Sequence, residues 1–289
     1  MKIFVIGDMG GHARVFELAI RAAGGDPASG EIAPDHIIVQ AGDLVRLVPN
    51  QVLESDACVE IADRMLLRSP GQWIQLWGNH EAGCVGGPRA VGWRPEVQLA
   101  PQTLKTLNRW WREKTALVAV GGTTVAHGDV LITHAGISRH LWSHYGHLSG
   151  AQMVSRLNAT MGGTPGDAFR AGRLVTGQSD VAVSPIWAEV NREFYETWWG
   201  RDAPFTQIHG HASPWHWACS DWWPDTPRRI RRHCVVDRTT RRTVTRLGGE
   251  GTRRPAIAIG VDWGLEGSDC VRTWPTLDLE IDAEQTVWV

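Results

Sequence analysis

Through the first 80 residues, short apolar runs alternate with stretches that repeat apolar side chains at helical spacing. Lys2–Ile6 is such a run and stops at Gly7, the pattern of a buried strand. Val15–Ala23 has helical periodicity, and His36–Gln40 is a second buried run followed by Gly42-Asp43. Gln51–Arg68 is again helical in pattern, and Gln72–Trp77 is a third strand, leading into Gly78-Asn79-His80-Glu81. Strands separated by helices predict right-handed βαβ units and a mainly parallel sheet.

Beyond residue 115 the pattern is richer in strands. Leu117–Val120, Thr124–His127, Val130–Thr133 and Phe205–His209 read as sheet, as do Arg231–Val236, Thr243–Leu247, Ala256–Val261, Leu277–Ile281 and Thr286–Val289. Between them, Ala151–Met161 is helical and is followed by a glycine-rich loop. No repeat or low-complexity linker divides the chain. The expectation is one α/β domain over residues 1–289, with a helical and loop insertion near 137–200.

Composition narrows the class. The 289 residues carry 29 Lys and Arg against 31 Asp and Glu, a formal net charge of −2. That balance argues against dedicated nucleic-acid binding, which needs a strongly basic face. The apolar stretch Ile3–Ile6 is too short for a signal peptide, and no later run is long enough to span a membrane. The five cysteines show no CxxC spacing and fit thiols in a reducing compartment. The chain therefore reads as cytoplasmic. Sixteen tryptophans are many for this length, and four of them, Trp215, Trp217, Trp222 and Trp223, cluster.

The chemistry lies at the strand ends. Gly7-Asp8, Gly42-Asp43 and Gly78-Asn79-His80-Glu81 each follow an apolar run, with 35 and 36 residues from Asp8 to Asp43 and from Asp43 to Asn79. Each spacing matches one βαβ unit and places the motifs at the carboxyl edge of neighbouring strands, where open α/β sheets bind ligands. His134 closes the run Val130–Thr133, and His211 follows Ile208-His209-Gly210 in the same way. Two carboxylates, an asparagine and two histidines form a mixed oxygen and nitrogen set. Such a set suits Mn²⁺, Fe²⁺, Zn²⁺ or Ni²⁺ better than Ca²⁺.

In this order the motifs GDMGG, GDLV, GNHE, THAGI and GHA resemble the signature of the calcineurin-like metallophosphoesterases. The phosphoprotein-phosphatase-type branch, with bacterial diadenosine tetraphosphatases and phage-type protein phosphatases, is the most similar. Ser184-Pro-Ile-Trp187 and Ile259-Gly-Val-Asp262-Trp-Gly264 extend the likeness. The resemblance implies a four-layer sandwich of mixed β-sheets flanked by helices. It implies one or two divalent ions, Mn²⁺ foremost. Asp43 would bridge the two, Asn79, His134 and His211 would complete one site, and Asp8 would belong to the other. His80 would act on the leaving oxygen or on phosphate. Two metals about 3.5–4 Å apart would clamp the phosphoryl oxygens and make hydroxide available near neutral pH.

Two motifs depart from the pattern. Gly10 stands where the family has a metal-binding histidine, leaving His12 or His209 as replacements, or else a weakened first site. Arg46-Leu47 stands where the family has Asp-Arg-Gly, so the aspartate that orients the histidine is missing and nothing nearby replaces it. Arg46 is either a shifted phosphate ligand or a solvated loop residue. Trp215 and Trp217, just after His211, either stack on a nucleobase or pack against the sheet. The function expected is hydrolysis of a small phosphorylated substrate, a phosphomonoester or a nucleotide phosphoanhydride, through metal-activated water. The alternative is a catalytically silent relative that binds a phosphorylated ligand or a partner protein.

Overall fold

The structure, a computed structural model, describes residues 1–46, 52–85, 99–161, 169–249, 251–262, 277–280 and 287–289. Leu47, Gln51, Trp263, Gly264, Cys270, Ile281 and Thr286 thus lie outside the described residues.

The chain begins β1 (Lys2–Ile6), α1 (Ala13–Ala22), β2 (His36–Gln40), α2 (Val52–Arg68), β3 (Trp73–Leu76), α3 (Asn79–Cys84), α4 (Pro101–Glu113) and β4 (Ala116–Leu117). It continues through the hairpin β5 (Ala119–Thr124) and β6 (Gly128–Thr133) to α5 (Arg139–His144), α6 (Gly150–Asn158) and α7 (Arg173–Thr176). A π-helical turn, Val190–Tyr195, runs into α8 (Glu196–Trp198) and then β7 (Thr206–His209). A short ribbon of β8 (Trp215–His216) and β9 (Asp221–Trp222) precedes α9 (Arg228–His233). The last strands are β10 (Cys234–Asp237), β11 (Arg242–Arg246), β12 (Ile257–Gly260) and β13 (Leu277–Glu280).

Among the described residues two large sheets result, in the orders β13-β1-β2-β3-β4 and β10-β11-β12-β7-β6-β5, beside the two-stranded β8-β9 ribbon. In the first, β1 to β4 are parallel and β13 is antiparallel; in the second, β6, β7 and β12 are parallel. Side-chain alternation explains how they stack. Ile3, Val5, Ile37, Val39 and Ile74 project from the first sheet onto Val120, Val130, Ile132, Ile208 and Ile259 of the second. The opposite face, with Phe4, Ile6, Ile38 and Trp73, packs on Phe16 and Ile20 of α1 and Val59 and Met65 of α2. Leu131 and Ala258 turn the other way, toward Met153 and Val154 of α6. The layers run helix, sheet, sheet, helix. Each fully buried Val, Leu or Ile in such a core contributes about 1.5–3 kcal/mol over leaving it exposed.

Three elements differ from the sequence reading. Of the expected strand Thr124–His127 only Thr124 is extended, as the end of β5; Val125–His127 is the turn of the β5–β6 hairpin, closed by Gly128 at φ +62. The expected strand Leu117–Val120 is split between the sheets, because Asn158 Oδ1 accepts the N–H groups of Val118 and Ala119 at the crossover. Arg231–His233 is helical rather than extended. Pro227 sits at the N-cap, arginine is a good helix former, and only Ile230 needs burial, so the arginines spread over a solvated helix.

No described helix is long and apolar enough to cross a membrane. The topology brings the carboxyl ends of β1, β2, β3, β6, β7 and β12 together, and every ligand candidate stands there.

Candidate metal centre

Asp43 lies just past β2 at φ +53, after Gly42 at φ +98. Both are left-handed, a conformation that disfavours most side chains, so packing must hold it. Gly42 is required: a Cβ there would sit 2.7 Å from the backbone of Gly78. The Asp43 carbonyl accepts the N–H groups of Met9 and Gly10, each at 2.9 Å, which ties the β1 loop to the β2 loop. Asp43 Oδ1 accepts the backbone N–H of His80 at 3.1 Å.

Glu81 supplies the other half of this lock. Buried to 1% exposure, its carboxylate accepts the N–H groups of Asp43 and Val45 from one loop and of Gly78 from another. Burial, together with nearby Asp43, pushes its pKa up to about 7. The sequence reading placed Glu81 in a motif without giving it a task. Its signal was its position in Gly-Asn-His-Glu, the fourth residue of a helix start.

His134 and His211 close the cluster from the second sheet. The His134 Nδ1–H donates to the Ala41 carbonyl at 2.8 Å, which turns Nε2 toward Asn79 Oδ1 at 3.0 Å. His211 presents Nδ1 to the same Asn79 oxygen, also at 3.0 Å. Asp43, His134 and His211 bring one donor atom each within 4.8 Å of one another. An amide oxygen, a carboxylate and imidazole nitrogens therefore converge with their lone pairs on one point. Burial pulls the His134 pKa down, but Asp43 and Asp8 outweigh it and push it up to about 10. A field that binds a proton so firmly suits a divalent cation. The histidine orientation by a backbone carbonyl is the usual outer support of a metal ligand. The residues fit the ion.

Asp8 faces the same centre. Both its oxygens accept the His211 N–H, at 3.1 and 2.9 Å, and Oδ1 lies 3.8 Å from His134 Nδ1. Burial raises its pKa well above the carboxylate range; His134 opposes this, and Asp262 and Asp43 add to it. Three carboxylates, Asp8, Asp43 and Asp262, thus gather at this point. His209 does not take the place that the sequence offered it. Its Nε2 pairs with Tyr195 Oη at 2.9 Å, its Nδ1 with the Gly210 carbonyl, and burial lowers its pKa to about 4. It belongs to the core beside Phe194: in a continuous strand residues 209 and 211 would share a face, but β7 ends at His209 and His211 sits at φ +60, which turns its ring elsewhere. His12 is the N-cap residue of α1, and Gly10, not His12, lines the cavity over the centre.

His80 is placed differently from the family pattern. Its Nδ1 bonds to the Val45 carbonyl at 3.0 Å and its Nε2 is 3.9 Å from Asp43 Oδ2. A backbone carbonyl thus occupies the orienting position that the sequence left without an owner. Arg46 follows at once. Its N–H donates to Ser55 Oγ, and the residue lines the cavity.

That cavity measures about 460 Å³, with Asp8, Asp43, Asn79 and His211 on one side and the loop after His211 on another. Trp217 lines it with Nε1 fixed on the Asp262 carbonyl at 2.7 Å. Trp215 also lines it but is only 7% exposed, with Trp222 against its ring and the Arg238 guanidinium 5.2 Å from its centre. Its faces are taken up, which leaves Trp217 and exposed Trp223, both in the cluster seen in the sequence, as the indoles toward the cavity. Trp187 packs edge-on to the His211 ring at 6.3 Å.

A model of the calcineurin-like phosphoesterase family matches residues 1–238. No curated protein matches the chain. A cold-active protein-tyrosine phosphatase of a psychrophilic Shewanella species aligns over 96% of this chain and 75% of its own, at 15% identity and a TM-score of 0.49. Another structure of a cold-active protein tyrosine phosphatase aligns over 96% and 73%, at 16% identity and a TM-score of 0.50. A protein serine/threonine phosphatase from Saccharomyces cerevisiae aligns over 90% and 79%, at 12% identity and a TM-score of 0.41. The second of these likenesses, at 16% identity, speaks for the fold alone.

Proposed function

We infer, from a chain that belongs to the calcineurin-like phosphoesterase family and is accordingly a phosphatase-type hydrolase, that its substrate is a small phosphorylated molecule. The observation that carries this is the convergence of Asp43, Asn79, His134 and His211 at a cavity walled by tryptophans. A concave site of this kind suits a phosphomonoester or a nucleotide phosphoanhydride better than a phosphorylated residue on a folded protein.

In this reading Asp43, Asn79, His134 and His211 hold one divalent ion, Mn²⁺ foremost, and Asp8 with Asp43 holds a second. The ions would neutralise phosphoryl charge and supply hydroxide near neutral pH. The protein's own groups do the rest. The Glu81 carboxylate fixes the Asp43 and Gly78 loops, so the carboxylate need not reorganise during reaction. Val45 holds the His80 ring, leaving Nε2 to carry a proton toward the leaving oxygen. The Arg46 guanidinium matches two phosphate oxygens at once. The four described cysteines are free thiols, which fits the cytoplasm.

Metal content, with hydrolysis of p-nitrophenyl phosphate and diadenosine tetraphosphate, tests this reading with Mn²⁺, with chelator, and in Asp43→Asn. Turnover that needs metal and disappears in the variant is expected. Bound metal without turnover would favour a silent relative that binds a phosphorylated ligand.

A further inference from the structure

Away from the metal ligands, the cavity is lined by two segments: the π-helical turn with Glu189 and Asn191, and the loop with Trp217, Trp223 and Asp225. Asn191 ties them together, its Nδ2 reaching Thr226 Oγ1 at 3.4 Å, while Thr226 donates to the Pro214 carbonyl. Asn191 is 2% exposed and its Oδ1 has no hydrogen-bond partner among the described residues. A buried acceptor left unmade is costly, so the negative end of this amide dipole favours a cation or an N–H donor beside it.

The charge on this wall has one sign. Glu189 and Asp225 lie close enough to repel each other, and Asp225 is an exposed rim carboxylate with no ion-pair partner among the described residues. Arg46 is the only Lys or Arg among the lining residues. Arg231 stands behind the same turn, donating to the carbonyls of Trp223, Pro224 and Thr226, and does not line the cavity. With Trp217 fixed through its indole N–H, it is the ring rather than the polar edge that remains for a ligand.

We propose that this wall is a subsite for a positively charged organic group, making the substrate the phosphate ester of an ammonium-bearing alcohol. Aromatic rings joined to carboxylates attract such cations through the ring quadrupole and direct charge. The wall disfavours the alternatives on the same ground. A polyphosphate chain would lie its negative charge along Glu189 and Asp225, and a neutral base would gain stacking but leave the Asp225 carboxylate unmatched, the Glu189 carboxylate being held by the N–H groups of Asn191 and Arg192. The assignment rests on the phosphoesterase reading for the reacting end and concerns only the end that does not react.

The test compares phosphocholine with 3,3-dimethylbutyl phosphate, which differ in having nitrogen or carbon at the quaternary centre. Two readouts are taken: kcat/KM with Mn²⁺, and quenching of tryptophan fluorescence by each ester. The cationic ester is expected to be favoured about tenfold in both, the size of a desolvated cation–π contact. Asp225→Asn and Trp217→Leu should each bring the ratio toward one, and general damage cancels in a ratio. A wild-type ratio of one in both readouts overturns the subsite, as does a ratio that survives both substitutions. Stronger quenching by adenosine monophosphate than by phosphocholine overturns it in favour of base stacking. Turnover of no ester at all, p-nitrophenyl phosphate included, would sink the hydrolase reading, while the quenching ratio would still decide the subsite.

Discussion

The metal-binding edge and the tryptophan wall face each other across one cavity but are built on opposite principles. At the edge, main chain does the positioning: Glu81 accepts three N–H groups, Asp8 accepts the His211 N–H, and the Asp43 carbonyl accepts two more. Almost every group there is buried, and two residues, Asp43 and His211, sit at positive φ, which only dense bonding tolerates. The wall is a two-residue ribbon, β8 against β9, with exposed Trp223 and Asp225 on a turn held by Arg231. In the proposed reading the densely bonded edge would fix the chemistry, and the wall, which can change residue by residue, would fix what the chemistry is done to. Loops on a rigid scaffold divide labour in this way.

The strongest test of that contrast removes a ligand. Asp43→Asn or His134→Ala should lower metal occupancy, read by elemental analysis, by more than the ~10–100-fold that even an outer support costs. Turnover should disappear with it. His80→Asn keeps the metal but loses a proton donor, so kcat should fall roughly 10²–10⁴-fold with occupancy unchanged. Loss of metal in that variant would instead make His80 part of the ion site.

Glu81→Ala probes the edge as structure. It leaves buried N–H groups of Asp43, Val45 and Gly78 without an acceptor, each costing about 1–3 kcal/mol. Denaturant unfolding should show the loss even with chelator present, since the lock is made by protein groups. A stability unchanged by the substitution would mean that the loops are held otherwise. Chelation of the wild type should lower its melting temperature through the loss of bound ligand, roughly 3 kcal/mol where metal stood at 100 times its dissociation constant. Asp43→Asn should be insensitive to the same treatment. The smallest effect belongs to the wall. Trp217→Leu should leave metal content intact and unfolding within about 1 kcal/mol of wild type, with the change confined to KM. A collapse of kcat there would show that the two regions are coupled rather than separate.

Much was legible before folding. Three apolar runs stopping at Gly7, Gly42 and Gly78 became β1, β2 and β3 side by side, with Asp8, Asp43 and Asn79 at their carboxyl ends. The regular spacing carried this information because a βαβ unit has a nearly fixed length. Where a local pattern was ambiguous, the reading failed: Arg228–His233 has no apolar alternation to distinguish strand from helix, and Pro227 with arginine propensity decided for helix.

The sequence by itself determined which residues could meet, because strand period and motif spacing are local properties. What only the tertiary structure decided is how each one faces. His209 and His211 stand two residues apart, yet one is bound to Tyr195 in the core and the other reaches Asn79, 132 residues away in the chain. The ring of His80 is held by the Val45 carbonyl, an acceptor that every residue carries and no side-chain motif reveals. Likewise Asn191 and Asp225 became neighbours of the metal edge only when the π-helical turn and the turn after β9 packed beside it. Orientation, tautomer and the charge of a wall depend on partners brought together by long-range packing, and sequence spacing encodes only the short-range part.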